Sequence, residues 1–174
     1  MNEPTVGRTP ALELNEPRRL TGFRATMDAV FSRILIPTDG TPSSDCAVEN
    51  GLGIAAEYGA TAHALYVVET SSSMGHVDFV VERQEATGED AVEAVERRAE
   101  AFGVAVVKAF RYGVPHEQIL DYADDYDIDL VVMGTHGRSG LGRFVKAGSV
   151  AERVVRAADV PVMVARRDAC RLPI

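Results

Sequence analysis

The residues with the most chemistry in their spacing run from Met133 to Ser149, M-G-T-H-G-R-S-G-L-G-R-F-V-K-A-G-S. Gly134, Gly137, Gly140, Gly142 and Gly148 place five of the chain's 15 glycines within this stretch, several times what uniform scatter would put there. A glycine-rich loop between a strand and a helix lets backbone N–H groups approach a phosphate without Cβ interference, and the next helix adds its positive end. The charge agrees: from Thr135 to Ala158, Arg138, Arg143, Lys146, Arg153 and Arg156 stand against Glu152 alone. The competing reading is a surface loop that needs glycine only for its turns.

Ser149 and Glu152 form an S-x-x-E capping box, which starts a helix with or without a ligand, and the Ser149 hydroxyl and N–H can equally face a phosphate. Asp39, with Gly40, can be a turn that bonds its own backbone, or a carboxylate that accepts from a ribose hydroxyl or an adenine amine. His136 either donates to phosphate or sits idle at the surface. His63, His76 and His116 are isolated from one another and from cysteine, so no metal-ligand spacing exists. GxxxxGK[ST] is absent, and no residue stands out as a base to orient water.

These groups need a scaffold, and its elements alternate along the chain. Arg33–Thr38, Ala62–Val68, Val104–Tyr112, Leu130–Met133 and Val160–Ala165 are apolar runs of strand length. Between them, Thr41 and Pro42 offer an N-cap and a first-turn proline for a helix to about Tyr58. A second helix runs from about Val81 to Gly103, with Val92, Val95, Ala99 and Phe102 on one face and the acidic run 82–100 solvated. His116–Asp125, with Ile119, Leu120 and Ala123 inward, and Ser149–Ala158 complete the helices. Continuous apolar strands alternating with helices predict a parallel sheet covered on both faces, a doubly wound α/β sandwich with its ligand crevice at the strand C-terminal ends.

Length and composition agree with one such domain. The chain has 174 residues, 46% hydrophobic, with 18 Lys+Arg against 26 Asp+Glu and a formal charge of -8. That balance excludes a broadly basic nucleic-acid or membrane-surface binder, and no apolar run is long enough to span a bilayer. Residues 1–30, with Pro4, Pro10 and Pro17, read as a flexible extension; 31–167 is the domain and 168–174 a short tail. Two cysteines, Cys46 and Cys170, make neither a disulfide framework nor a CxxC pair, Cys46 reads as a small core residue, and the expected compartment is the cytoplasm.

In this order and spacing, RILIPTDGT, LYVVE, YGVPHEQIL, VVMGTHGRSGLGRF, GSVAERVV and VPVMVAR resemble the universal stress protein family from about Arg33 to Arg166. The resemblance implies an open five-stranded parallel sheet, order 3-2-1-4-5, similar to the adenine nucleotide alpha hydrolase fold, and a homodimer through the last strand. The ATP-binding branch carries G-x2-G-x9-G-[ST]. Here Gly134-x2-Gly137 fits, but ten residues, Arg138–Ala147, precede Gly148-Ser149. By resemblance, Pro37, Thr38 and Asp39 lie beside adenosine and Val67 under the base. Met133 and Gly134 close the base and ribose side, and His136, Gly137, Gly148, Ser149 and Val150 line the phosphates. The implied ligand is ATP or AMP, with or without magnesium, in a stress-response regulator rather than an efficient catalyst. A slow ATPase and a nucleotide-free dimerisation module are the alternatives.

Overall fold

The computed structural model describes residues 30–70, 77–134 and 150–166. They form β1 (Arg33–Pro37), α1 (Pro42–Tyr58), β2 (Thr61–Glu69), α2 (Val77–Phe102), β3 (Val106–Gly113), α3 (Pro115–Asp125), β4 (Leu130–Gly134), α4 (Val150–Ala157) and β5 (Val162–Ala165). The strands make one parallel sheet in the order β3-β2-β1-β4-β5, as the resemblance implies.

Because successive strand residues point to opposite faces, the apolar strands supply two cores at once. Ile34, Ile36, Ala62, Ala64, Tyr66 and Val132 join α1 and α2 on one face. Leu35, Leu65, Val131 and Met133 join Ile119, Tyr122 and Ala123 of α3 and Ala151 and Val154 of α4 on the other. So the first two crossovers lie on one face and the last two on the other.

Local chemistry sets the element ends. Gly59, left-handed at φ 67°, ends α1, with its own N–H and that of Ala60 turning back to the Ala55 carbonyl. The Asp129 Oδ2 accepts from the backbone N–H groups of Ser32 at 2.7 Å and Arg33 at 2.8 Å, fixing the start of β1 beside β4. We expect Asp129→Ala to lower stability by about 1 kcal/mol, since these bonds lie at an exposed edge. A urea midpoint that falls with an unchanged slope is the expected result, and an unmoved midpoint refutes it.

Several expectations change. Thr41 precedes α1 in an extended conformation with Pro42 behind it, but its side chain makes no capping bond; its hydroxyl donates to Asp39 Oδ1. Phe102 is exposed, as the last residue of α2 before the left-handed Gly103. Tyr122, absent from the expected inward set, is 1% exposed, while Leu120 is only partly buried. Cys46 does lie in the core, but it is disulfide-bonded rather than free. A lone cysteine inside a helix carries no local spacing from which a bond could be read.

Candidate functional site

The helices change face between β1 and β4, the neighbouring strands at which the strand order reverses. The β1–β4 ladder pairs Ile34 with Leu130 and Leu35 with Val131 and goes no further, while the β1–β2 ladder continues to Pro37 and Leu65. Beyond Leu35, then, β1 keeps its partner on one side only, and the mouth of the crevice falls between the C-terminal ends of β1 and β4.

Pro37, Thr38 and Asp39 come off β1 at this mouth, and Met133 and Gly134 end β4 opposite. Val67, near the end of β2, is partly buried against the second core, as is Val150, the first residue of α4. Seven of the expected site residues are thereby placed at strand C-termini or at a helix start. His136, Gly137, Gly148 and Ser149, with the Ser149–Glu152 capping box, lie outside the described residues.

The turn from β1 into α1 is the best-defined part. Thr38 is 8% exposed, and its N–H donates to the Leu65 carbonyl, extending the β1–β2 ladder by one bond. Its Oγ1 accepts from the Gly40 N–H at 3.2 Å and lies 3.2 Å from the Ser44 Oγ. The Ser44 hydroxyl donates to the Thr41 carbonyl at 2.8 Å, so the Thr38 hydroxyl is the donor to Ser44. Gly40 has φ +72°, and a Cβ there would stand 3.2 Å from the Ala91 Cβ on α2. The turn is therefore held between strand, helix and neighbouring helix.

Within it, Asp39 divides its carboxylate between two roles. Oδ1 accepts from the Thr41 N–H at 3.0 Å and the Thr41 hydroxyl at 2.7 Å, which is the turn reading of Asp-Gly. Oδ2 is buried and has no hydrogen-bond partner among the described residues. A buried carboxylate oxygen without a donor is costly, and native proteins rarely leave one so unless something else supplies the donor. A buried acceptor at the C-terminal end of β1 that no described residue engages suits a ligand hydroxyl or amine.

Thr41 and Ser44 were not among the expected site residues, although both shape this turn. The run T-P-S-S was the signal, since clustered hydroxyl side chains at a helix start compete for nearby backbone groups. Gln84 was also missed. Its amide bonds both the N–H and the carbonyl of Glu69, fastening α2 to the C-terminal end of β2. Among the described residues, no group of three His, Cys, Asp or Glu side chains could hold a metal ion.

A five-stranded parallel sheet whose strand order reverses between β1 and β4, with helices on both faces, defines a doubly wound α/β protein, and such folds bind ligands at the C-terminal ends of the strands beside that reversal. The chain belongs to the universal stress protein family, whose profile matches residues 31–166. It is 36% identical over 143 residues to the universal stress protein MJ0531 of Methanocaldococcus jannaschii, covering 79% of this chain and 84% of that one. Among solved structures, the universal stress protein UspA of Lactobacillus plantarum is 29% identical, with a TM-score of 0.67 over 78% of this chain and 98% of that one. A universal stress protein solved in complex with cAMP shares the fold at 24% identity, with a TM-score of 0.63 over 79% of this chain and 98% of that one.

Proposed function

We propose that the protein binds an adenine nucleotide, ATP or AMP, with or without magnesium, in the crevice between β1 and β4, and works as a dimeric stress-response regulator rather than as an efficient catalyst. The observation that carries this reading is the buried Oδ2 of Asp39 at the switch point, which has no hydrogen-bond partner among the described residues and suits a ribose hydroxyl or an adenine amine. Pro37, Thr38 and Val67 would flank the adenosine, and Met133 and Gly134 would close its other side. The glycines from Gly137 to Gly148, with His136, Ser149 and Val150, would take the phosphates. A relative of the same fold solved with cAMP supports an adenine nucleotide as the ligand class.

The proposed dimer uses β5. It is an edge strand of the sheet, Val164 is exposed there, and Val155 on the neighbouring α4 is 51% exposed. An apolar parallel edge needs cover, and a second copy provides it. The proposed domain spans 31–167 between an extension and a tail. No helix among the described residues is long and apolar enough to cross a membrane. The proposed compartment is the cytoplasm, where the bond at Cys46 would be exposed to reduction.

Isothermal titration of the full chain with ATP, AMP and cyclic AMP, each with and without magnesium, tests the reading. Binding of at least one is expected. It should be accompanied by a rise in thermal midpoint that grows with the logarithm of ligand concentration. No heat and no shift with any of the three would sink it.

A further inference from the structure

At the opposite end of the sheet from the crevice lies a buried imidazole that the nucleotide reading does not use. His63, near the start of β2, is 6% exposed. Its Nδ1 lies 3.0 Å from the Tyr122 hydroxyl on α3, and its ring meets the Tyr122 and Tyr126 rings at 5.8 and 6.0 Å. Those two tyrosines stack on each other at 4.3 Å. Cations stand on both flanking strands. From β1, the Arg33 guanidinium donates to the Tyr126 carbonyl at 3.0 Å and pairs with Asp127; from β3, Arg111 lies over both tyrosine rings and pairs with Asp125 at 2.7 Å.

The carboxylates nearby are already committed. Asp125 serves Arg111, Asp127 serves Arg33, and Asp129 takes the N–H groups of Ser32 and Arg33. The hydrogen-bond partner given to the imidazole is therefore a neutral phenol. Tyr122 keeps its proton throughout the working range, since burial pushes its hydroxyl up to about 12. A protonated His63 could still donate from Nδ1 to the Tyr122 oxygen, but it would set a buried positive charge near Arg33 with no carboxylate among the described residues bonded to the ring.

We propose that the His63–Tyr122 contact is a proton-operated latch: with the imidazole neutral, α3 is fastened to β2, and protonation of His63 releases α3 from the sheet. α3 also packs on β3 and α4, so release would loosen the helix that begins at Val150. Burial, and then the charge of Arg33, hold the imidazole below its ordinary value of 6.5. A released His63 would bind its proton near that ordinary value, whereas the latched one resists it. The fastening is thus fully present above about pH 6.5 and is lost as pH falls from there toward the depressed latched value.

The proposal goes beyond nucleotide binding and is tested without any ligand. In the full chain, the His63 imidazole resonance, assigned through its contact with Tyr122, should titrate with a midpoint below 6.5. Amide exchange over 115–125, referred to β4 as an internal standard, should show the α3 opening constant rising by up to about tenfold per pH unit between pH 6.5 and that midpoint. His63→Gln keeps a neutral partner for Tyr122 and should flatten this pH dependence. A midpoint at or above 6.5 overturns the latch, and so does exchange that rises equally in α3 and β4. The imidazole titration and the exchange profile both stand on the natural chain if His63→Gln fails to fold.

Discussion

Asp39→Asn is expected to weaken binding of ATP and AMP by roughly 10- to 100-fold, the loss of one hydrogen bond to a charged acceptor, while leaving the fold intact. Asparagine keeps a carbonyl oxygen where Oδ1 now accepts from the Thr41 N–H and hydroxyl. The Thr41 N–H can only donate, so it fixes the amide with its oxygen on that side. The NH2 group then occupies the Oδ2 position and turns a buried acceptor into a donor. A ligand hydroxyl can reorient to accept weakly, but an adenine amine there meets a second donor.

Without ligand, the same substitution removes a buried carboxyl oxygen that lacks a partner among the described residues, so stability should stay level or rise. Affinity thus falls without a loss of stability, as expected when a polar group serves a ligand rather than the fold. Titration calorimetry and thermal unfolding on the same preparation read both. If affinity and thermal midpoint are both unchanged, Oδ2 does not face the ligand. If affinity is unchanged and stability falls, its role is structural. Asp39→Ala is a poorer probe, because it also removes the two bonds to Thr41 that shape the turn.

Much of this scaffold was legible in the sequence because its signals are local. The strand runs around Ile34–Ile36, Ala62–Val68 and Leu130–Met133 are buried on both sides, so they read as unbroken apolar stretches. At the edge, β3 begins at Val106 rather than Val104, and Val107 and Lys108 are exposed, so apolarity alone overextended it. The strand order came from the resemblance, not from periodicity, because nothing local says which strands become neighbours. The same limit hid the His63–Tyr122 pair, which joins β2 to α3. His63 alone looks like an isolated polar group in an apolar run, and Tyr122 like one aromatic residue among aspartates. At the site, Asp39 was visible as an Asp-Gly turn at a strand end. That Thr41 engages one of its oxygens while no described residue engages the other emerges only once the turn is folded.

The largest stability effect of a small substitution should fall at Gly88, where α2 crosses β2 and β3. A Cβ there would stand 2.6 Å from the Tyr66 Cδ1 and 2.7 Å from the Phe110 Cε1. Both neighbours are rigid rings, packed against each other at 6.1 Å and 48°, and Tyr66 is 3% exposed. Neither ring can give way without moving a strand or lifting the helix. Gly88→Ala gains about 1 kcal/mol of helix propensity, yet overpacking of this kind costs about 1–3 kcal/mol. Net destabilisation is therefore expected, and Gly88→Val, with two more methyl groups against the same rings, should lose more still.

Gly51 on α1 provides the contrast within the same fold. A Cβ there meets Ile36 Cδ1 at 2.6 Å and Cγ1 at 2.8 Å, so the strain falls on one aliphatic side chain rather than on two packed rings. Gly51→Ala should consequently cost less than Gly88→Ala, because its propensity gain offsets more of the strain. Urea unfolding of the three variants beside the natural chain should rank them Gly51→Ala, Gly88→Ala, Gly88→Val in order of increasing loss. Should Gly88→Ala prove more stable than the natural chain, propensity would outweigh the contact. The spacing between α2 and the sheet, which also seats Gly40 against Ala91 at the crevice, would then be set elsewhere along the helix.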